Sequence, residues 1–254
     1  MTRIITVANQ KGGVGKTATA VNLAAELAAL VRRVLLVDLD PQANATTGSG
    51  IASRGLEFSI YDVLLNSKRS PAFAIVQTSY GYDLLPATLD LAAAELELAG
   101  KIGRESLLAD ALAPVAGTYD FIIIDSPPNL GLFTINALCA ADEVLVPLSP
   151  SVDALEGIKQ LTKIMGQLDR LNPQLRIGGV LLTMVDSRNR LSADIEAEAN
   201  QRYPGLVYQT RIPANVRVAE APAARQPVGE YDNRSRGAVA YRQLAREVDG
   251  NGEA

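Results

Sequence analysis

The stretch from Asn9 to Thr17 reads Asn-Gln-Lys-Gly-Gly-Val-Gly-Lys-Thr and constrains the fold more than any other part of the chain. It follows the apolar run 4–8 and precedes an alanine- and leucine-rich segment, 18–30. This order predicts a strand, a glycine loop and a helix, the context of a phosphate-binding loop. Glycines let backbone N–H groups approach an anion, and Lys16 adds a charge for the outer phosphates. The Thr17 hydroxyl is suited to ligating Mg²⁺.

A second lysine distinguishes this loop from the usual pattern, which has glycine where Gln10 stands. Lys11 precedes the glycine pair, so two lysines flank one loop. If Lys16 serves the nucleotide of its own subunit, Lys11 can reach phosphates in the same subunit or in a facing one. The alternative is a glycine-rich turn with an incidental solvated lysine.

Two apolar runs, 33–38 and 119–125, each end in an aspartate. Continuous apolar runs are typical of strands buried on both faces of a parallel sheet, and ligands bind at the carboxyl ends of such strands. Asp38, Asp40 and Asp125 are therefore expected near the phosphates, where carboxylates hold Mg²⁺ and orient water. The alternatives are a polar turn before Pro41 and an acid that ends an ordinary core strand.

The order of strand-like and helical segments predicts a single α/β domain over 1–248 with a doubly wound, mostly parallel sheet flanked by helices. Residues 249–254 are expected to form a short polar tail. Residues 43–55, rich in Ala, Thr, Ser and Gly, suit a mobile loop. The predicted strands are 4–8, 33–38, 82–86, 119–125, 143–148 and 176–184, and the predicted helices are 18–30, 59–65, 89–98, 106–112, 153–171 and 191–203.

Composition excludes several classes of protein. With no histidine and one cysteine, Cys139, a structural zinc or iron–sulfur site is not expected. No apolar run approaches the roughly 20 residues of a membrane span, and no signal peptide is visible, so we expect a cytoplasmic protein without membrane contact.

Charge is distributed unevenly along the chain. The net charge is −4, but residues 186–246 hold ten arginines against seven acids. A locally basic face is enough for contact with nucleic-acid phosphates, because only charges within a Debye length (about 8–10 Å) act strongly. The same excess is also compatible with a solvated surface.

The loop 11–17, together with 8–13 and 38–42, resembles the deviant Walker A proteins of the ParA/MinD family, most of all the short, Soj-like ParA proteins of chromosome and plasmid partition. The resemblance runs from about Ile4 to Val248 and implies a P-loop ATPase that uses ATP and Mg²⁺. It further implies a homodimer formed with ATP, nonspecific binding of double-stranded DNA at the nucleoid, and a ParB-type centromere-binding protein as partner.

The resemblance assigns roles to individual residues. Lys11, Lys16 and Asp40 are expected to be catalytic, with Asp40 positioning the attacking water. Thr17, Asp38 and Asp125 are expected around Mg²⁺, and Arg188 and Arg217 on DNA. The expected nucleotide contacts are Lys11, Gly12, Gly13, Val14, Gly15, Lys16, Thr17, Ala18, Met184, Pro213 and Asn215.

The chain departs from the family pattern at a few positions. The family usually has glycine where Ala43 stands, arginine where Ala214 stands, and Ser-x-Gly over 223–225. Before the two prolines at 127 and 128, it more often has Cys or Thr than Ser126.

Two other functions remain open. A MinD-like regulator of division-site placement at the membrane predicts a basic, amphipathic C-terminal helix, whereas the last residues are acidic and contain glycine. A P-loop ligase of the dethiobiotin synthetase kind predicts a small substrate over the γ-phosphate. A positioning ATPase for another cargo is a variant of the partition hypothesis.

Overall fold

A computed structural model describes residues 2–66, 70–151, 154–186 and 188–250. Eight strands form one sheet in the order β3-β4-β2-β5-β1-β6-β7-β8, and all neighbouring pairs are parallel except β3 with β4. The predicted fold class is therefore confirmed. The strands are β1 (Arg3–Val7), β2 (Val34–Asp38), β3 (Val76–Gln77), β4 (Asp83–Leu85), β5 (Phe121–Asp125), β6 (Glu143–Leu148), β7 (Arg176–Val185) and β8 (Val207–Pro213).

Helices cover both faces of the sheet, and alternation along each strand divides the core between the faces. Ile5 and Val7 of β1 pack with α1, α2 and the C-terminal helices, whereas α3 to α8 cover the opposite face. The helices are α1 (Lys16–Ala29), α2 (Asn44–Gly48), α3 (Ile60–Leu65), α4 (Leu91–Leu98), α5 (Leu107–Ala116), α6 (Leu132–Ala140), α7 (Ala154–Gln167), α8 (Arg190–Arg202), α9 (Val216–Glu220), α10 (Val228–Tyr231) and α11 (Arg236–Gly250).

Several predicted boundaries need correction. The helix expected over 153–171 ends at Gln167, and its expected first residue, Asp153, lies outside the described residues. Strands β3 and β8 were not predicted. Helix α11 continues through residues 249 and 250 of the expected tail, and Asp249 accepts hydrogen bonds from the Arg32 guanidinium at 2.8 and 3.0 Å. None of the helices in the described residues has the length and apolarity needed to cross a bilayer.

Helix α1 ends in a Schellman motif whose left-handed position is occupied by valine. The N–H of Val31 bonds the Ala28 carbonyl at 2.8 Å, and that of Arg32 bonds the Leu27 carbonyl at 3.2 Å. Val31 has a φ of 64° and is 90% exposed. A β-branched residue is strained in this conformation, and exposure leaves it little packing in return.

We therefore expect Val31→Gly to stabilise the protein by about 1 kcal/mol, because relief of the left-handed strain exceeds the entropy that glycine loses on folding. Thermal or urea unfolding measures the change. The matched control is Ala93→Gly at an exposed position inside α4, where the same residue should destabilise by about 1 kcal/mol. Equal destabilisation by the two glycines would contradict the strain argument.

Candidate functional site

The glycine loop connects the end of β1 at Val7 to the start of α1 at Lys16. Gly13 and Gly15 have φ values of 72° and 86°, which glycine alone adopts without strain. Gly12 and Gly13 are exposed. The loop therefore presents backbone to solvent at the amino end of a 14-residue helix, as an anion site requires.

Side chains from neighbouring strands hold this loop in place. The buried Asn9 donates from Nδ2 to the Pro147 carbonyl at 2.7 Å, and its Oδ1 accepts from the Lys11 N–H at 3.0 Å. Thr183 donates from Oγ1 to the Val14 carbonyl at 2.9 Å. The loop is thus tied to β6 and β7, which fixes its shape before any ligand binds.

The two lysines of the loop have different surroundings. Lys16 is buried, and its Nζ donates to the Lys11 carbonyl at 3.1 Å. Burial lowers the pKa of Lys16, while the charges of Asp125 and Asp40 partly oppose that shift. Lys11 is half-buried, and its Nζ donates to Ser151 Oγ at 2.7 Å. The Lys16 ammonium is therefore held inside the glycine loop of its own subunit, whereas the Lys11 ammonium is held at the edge of that loop.

Asp125 is the most unusual acid of the site. It is fully buried at the end of β5, and neither carboxylate oxygen has a hydrogen-bond partner among the described residues. Burial, followed by the charge of Asp38, raises the pKa of Asp125 well above its usual range, and the Thr17 hydroxyl and Lys16 ammonium oppose this. A buried carboxylate without a partner, beside a threonine hydroxyl at a phosphate loop, fits a Mg²⁺ ion.

The donor set also fits the way Mg²⁺ is usually bound. The described residues contain no group of three His, Cys, Asp or Glu side chains that would enclose a metal ion. Mg²⁺ loses its water reluctantly and typically uses one or two protein oxygens together with substrate phosphates. Thr17 and Asp125 meet that requirement.

Asp38 lies beside Asp125, because the parallel register of β2 and β5 pairs the two residues. Its oxygens accept from the Asp40 N–H at 3.1 Å, the Thr46 N–H at 2.8 Å and Thr46 Oγ1 at 2.7 Å. Burial raises the pKa of Asp38 to about 6. Its bonds to the protein fix the start of α2, so any support of the Mg²⁺ shell comes in addition to this structural role.

Asp40 lies at the mouth of the site. It is 9% exposed, and its Oδ1 accepts from the Gln42 N–H at 2.9 Å. Its Oδ2 accepts no hydrogen bond within the described part of the chain. One oxygen is therefore fixed and the other is available to a water molecule.

The segment predicted as a mobile loop over 43–55 is more ordered than its composition indicates. Residues 44–48 form α2, in which Thr46 is fully buried, and Ser49 Oγ accepts from the Tyr82 hydroxyl at 2.8 Å. Ala43 precedes α2 with a φ of 53°, the left-handed region in which glycine is favoured. Within the expected loop, residues 44–48 are corrected to a short helix, which hydrogen bonds to Asp38 and Tyr82 fix, whereas residues 49–55 form neither helix nor strand.

Three of the predicted nucleotide contacts, Met184, Pro213 and Asn215, lie at or just after the carboxyl ends of β7 and β8. Met184 is 48% exposed, and its Cε lies 4.0 Å from where a Cβ on Gly15 would stand. Pro213 ends β8. Asn215 caps α9, its Oδ1 accepting from the Arg217 N–H at 3.0 Å.

A cleft of about 430 Å³ along α1 was not predicted from the sequence, and Met184, Pro213 and Asn215 are not among the residues that line it. Its walls are the first turns of α1, helix α2 and the segment 221–226. Thr17 and Ala18, both predicted nucleotide contacts, line it together with Asn22 and Gln226. The cleft therefore extends from the glycine loop along α1, and amide side chains form part of its lining.

The two arginines assigned to DNA are exposed, but each is bound to an acid. The Arg188 guanidinium contacts Asp186 at 2.9 and 3.1 Å. Arg217 contacts Glu220 at 2.8 Å and Asp232 at 3.4 Å. These pairings could not be foreseen from the charge count.

Comparison with known proteins finds relatives along nearly the whole chain. Residues 2–177 match the family described as "AAA domain". The sporulation initiation inhibitor protein Soj of Bacillus subtilis (strain 168) is 48% identical over 253 residues, which are 99% of this chain and 100% of Soj. The chromosome partitioning protein ParA of Myxococcus xanthus (strain DK1622) is 46% identical over 247 residues, 97% of this chain and 87% of that protein.

Solved structures share the fold. Cobyrinic acid a,c-diamide synthase from Mycobacterium smegmatis with a bound ATP analogue and magnesium superposes with a TM-score of 0.84 at 40% identity, covering 97% of this chain and 93% of that one. The septum site-determining protein MinD of Pyrococcus horikoshii OT3, complexed with Mg-ADP, gives a TM-score of 0.83 at 28% identity over 100% and 98% of the two chains. Given the phosphate loop, the partnerless Asp125 and these full-length relatives, the chain belongs to the ParA/MinD family of deviant Walker A P-loop ATPases, with the Soj-like ParA proteins among its relatives.

Proposed function

We propose that this ATPase is a DNA-segregation switch in which ATP joins two subunits, the dimer binds DNA nonspecifically, and hydrolysis releases it. A ParB-type centromere-binding protein stimulates hydrolysis, and the cycle moves a chromosome or plasmid. The observation that carries the proposal is the 48% identity to Soj along the whole chain. The protein is accordingly cytoplasmic and associated with the nucleoid.

Different groups of the chain have different roles in hydrolysis. Backbone N–H groups of the glycine loop and Lys16 bind the phosphates, and Lys16 balances the charge that develops on them. Asp40 orients a water molecule through its available oxygen. Thr17 and Asp125 hold Mg²⁺, which when bound neutralises phosphate charge. Asp38 keeps Asp40 in place through the 3.1 Å bond to its N–H.

Lys11 is the residue that we assign to the second subunit. Lys16 already donates a hydrogen bond within the glycine loop of the same subunit. The Lys11 ammonium lies at the edge of that loop, where it donates to the Ser151 hydroxyl. A neutral hydroxyl binds an ammonium more weakly than a phosphate does, because the phosphate adds the attraction between opposite charges. A facing nucleotide would therefore draw Lys11 away from Ser151.

A second candidate is a ligase, which the similarity to cobyrinic acid a,c-diamide synthase favours. A ligase should need its small substrate for ATP turnover and for any change of assembly. A MinD-like membrane switch is the third, favoured by the fold alone at 28% identity. Separate assays of binding to lipid vesicles and to DNA, each with ATP, distinguish the membrane switch from the DNA-segregation switch.

Asp125→Asn should stabilise the metal-free protein and slow hydrolysis strongly. Removing a buried charge without a partner is expected to add about 1–3 kcal/mol to the free energy of unfolding. Because folding raises the pKa of Asp125, the wild type is penalised above the unfolded pKa, so the gain is largest at high pH and disappears as pH falls below about 4. Loss of one charged group should lower kcat about 100-fold or more.

Thermal unfolding in EDTA across a pH series measures the stability change, and phosphate release measures kcat. Asp169→Asn, an exposed acid-to-amide control, should change neither quantity. An Asp125→Asn variant that is less stable than the wild type at high pH would contradict the assignment of an unpaired charge.

Mixing two inactive variants tests whether Lys11 acts across the dimer. Lys11→Ala and Asp40→Ala should each be inactive alone, but a mixed dimer has one site with its own Asp40 and the partner's lysine. We expect about a quarter of the wild-type rate, since half of the dimers are mixed and each has one complete site.

The control mixes Lys16→Ala with Asp40→Ala. Lys16 serves its own site, so no site in that mixed dimer is complete and no activity should return. Mixed dimers of the first pair that form but do not hydrolyse ATP would place Lys11 in its own subunit.

Duplex-DNA binding with ATP and with ADP across a salt series tests the proposed function. The wild type should bind only with ATP, and Lys16→Ala should not bind, because it cannot hold the nucleotide that joins the subunits. The affinity should fall steeply with salt, since each neutralised phosphate contributes about −0.9 to the slope of log K against log[salt]. ATP-dependent dimers that do not bind DNA would argue against a DNA-segregation switch.

A further inference from the structure

Helix α4 is apolar on the side that faces solvent as well as on the side that faces the core. It buries Leu91, Ala94 and Leu98 in the core that it shares with α3 and α5. Surface helices normally present polar residues to solvent, and a helix that is apolar on all sides is normally covered. The solvent side of α4 and its flanking turns, which we call the α4 stripe, instead carries the exposed residues Leu89, Ala92, Ala93, Leu96, Ala99 and Gly100.

The α4 stripe has two large side chains with small ones between them. Leu89 is 71% exposed and Leu96 is 83% exposed. Leu89 belongs to the same helical run, because its carbonyl accepts from the Ala92 N–H at 3.0 Å. The two leucines are about two helical turns apart, with Ala92 and Ala93 between them. Such a surface provides a hole into which a side chain of a second helix packs.

Acids border the α4 stripe on both sides. On the side of α3, Glu97 accepts from the Tyr61 hydroxyl at 3.1 Å, and this bond raises the pKa of Tyr61. The negative charges of Asp62 and Asp90 act on the same hydroxyl. On the side of α6, Glu95 accepts from the first N–H of that helix at 3.3 Å. Residues 89–98 hold three acids and no base.

Among the described residues, the bases nearest to α4 in sequence stand beyond its C-terminal end. Lys101 donates to the Leu65 carbonyl at 2.8 Å. Arg104 donates to the Ala99 carbonyl and pairs with Glu105 at 3.2 Å. Cations at this end complement the helix dipole. The N-terminal part of the α4 stripe is therefore the part with a negative border.

This negative border decides between possible occupants of the stripe. A second copy of the chain would place α4 against α4, with three acids on each helix, and like charges facing each other across an interface are costly. Anionic lipid headgroups and nucleic-acid phosphates would be repelled for the same reason. A helix with basic residues beside its apolar face gains both the burial of the leucines and the attraction of opposite charges.

We propose that the α4 stripe is a docking surface for an amphipathic helix of a partner protein, one whose apolar face is flanked by lysine or arginine. An apolar side chain of that helix packs over the alanines between Leu89 and Leu96, and its basic residues face Asp90, Glu95 and Glu97. The inference goes beyond the proposed function, because it requires neither the ATP-dependent dimer nor DNA. Its failure would leave the DNA-segregation switch untouched.

Three synthetic peptides of about 18 residues probe the surface by fluorescence anisotropy. The first forms a helix with a leucine face flanked by lysines. The second has glutamate in place of each lysine, and the third has the composition of the first in an order without an apolar face. The wild type should bind the lysine helix at least about tenfold more tightly than either of the other two.

The double variant Leu89→Ser/Leu96→Ser removes the apolar anchors and should weaken binding of the lysine helix about tenfold or more. The matched control, Leu171→Ser/Leu206→Ser, makes the same change at two exposed leucines outside α4 and should bind like the wild type. Because Leu89 and Leu96 are exposed, their replacement should lower neither the thermal unfolding midpoint nor the affinity for ATP.

The double variant Asp90→Asn/Glu97→Gln tests the negative border. It should weaken binding severalfold and make the affinity for the lysine helix less dependent on salt, while Glu97→Gln keeps an oxygen that can accept from the Tyr61 hydroxyl. The control Asp169→Asn/Asp194→Asn removes the same charge from exposed positions outside α4 and should leave the affinity unchanged.

The inference is overturned if the wild type does not bind the lysine helix, or binds the glutamate helix or the reordered peptide as tightly. It is also overturned if Leu89→Ser/Leu96→Ser binds the lysine helix as well as the leucine control does. Sedimentation over a concentration series and flotation with anionic vesicles test the other occupants. Self-association or vesicle binding that Leu89→Ser/Leu96→Ser removes would assign the surface to a second copy or to a membrane instead.

Discussion

The burial of two adjacent carboxylates beneath the glycine loop is the constraint on which the rest of the site depends. Asp38 and Asp125 are forced together by the register of β2 and β5, and both are completely buried. Like charges in such surroundings raise each other's pKa and cost stability unless something compensates. Asp38 is compensated by three hydrogen bonds from the protein, whereas Asp125 has none among the described residues. The fold therefore leaves one carboxylate whose only suitable partner is a cation, and places it beside the Thr17 hydroxyl.

The compensation of Asp38 also extends the site outward. Thr46, which donates to Asp38, accepts from the Ala87 N–H at 2.9 Å, and Ser49 at the other end of α2 accepts from the Tyr82 hydroxyl. Helix α2 thus connects the acid next to the metal position with the strand β4 and the segment that follows it. A change of charge at Asp38 alters the bonds that hold α2, and α2 forms one wall of the cleft that lies along α1. Any nucleotide-dependent movement should begin there, because this is where a buried charge and the segment lining the cleft share hydrogen bonds.

The parts of the structure that the sequence predicted are those in which one residue pattern decides one local conformation. Buried parallel strands are uniformly apolar, so β2, β5 and β6 and the acids at two of their ends could be located. Strand β8 was missed because it lies at the edge of the sheet, where buried residues alternate with exposed ones such as Arg211. Its arginines led us to interpret it as a surface segment. Helix α2 has no apolar periodicity at all; its hydrogen bonds come from residues distant in the chain. The pairing of Arg188 and Arg217 with acids likewise depends on turns and caps that a charge count does not contain.

Backbone strain connects the departures from the family pattern to the geometry of the site. Ala43 and Arg225 both stand at positions where the resemblance to the ParA/MinD family leads us to expect glycine, and both adopt left-handed φ values, 53° and 58°. Each such residue costs about 1–2 kcal/mol relative to glycine, so the surrounding bonds must hold the backbone in place. The Ala43 N–H bonds the Asp40 carbonyl at 2.8 Å, and the Arg225 carbonyl accepts from the Tyr80 hydroxyl at 3.0 Å. Both residues border the segments that wall the cleft along α1, so the strain is concentrated in the two segments flanking the nucleotide position. Those segments are therefore held less firmly than the sheet, and the backbone bond to the Asp40 carbonyl and the side-chain bond from the Tyr80 hydroxyl offset part of this strain.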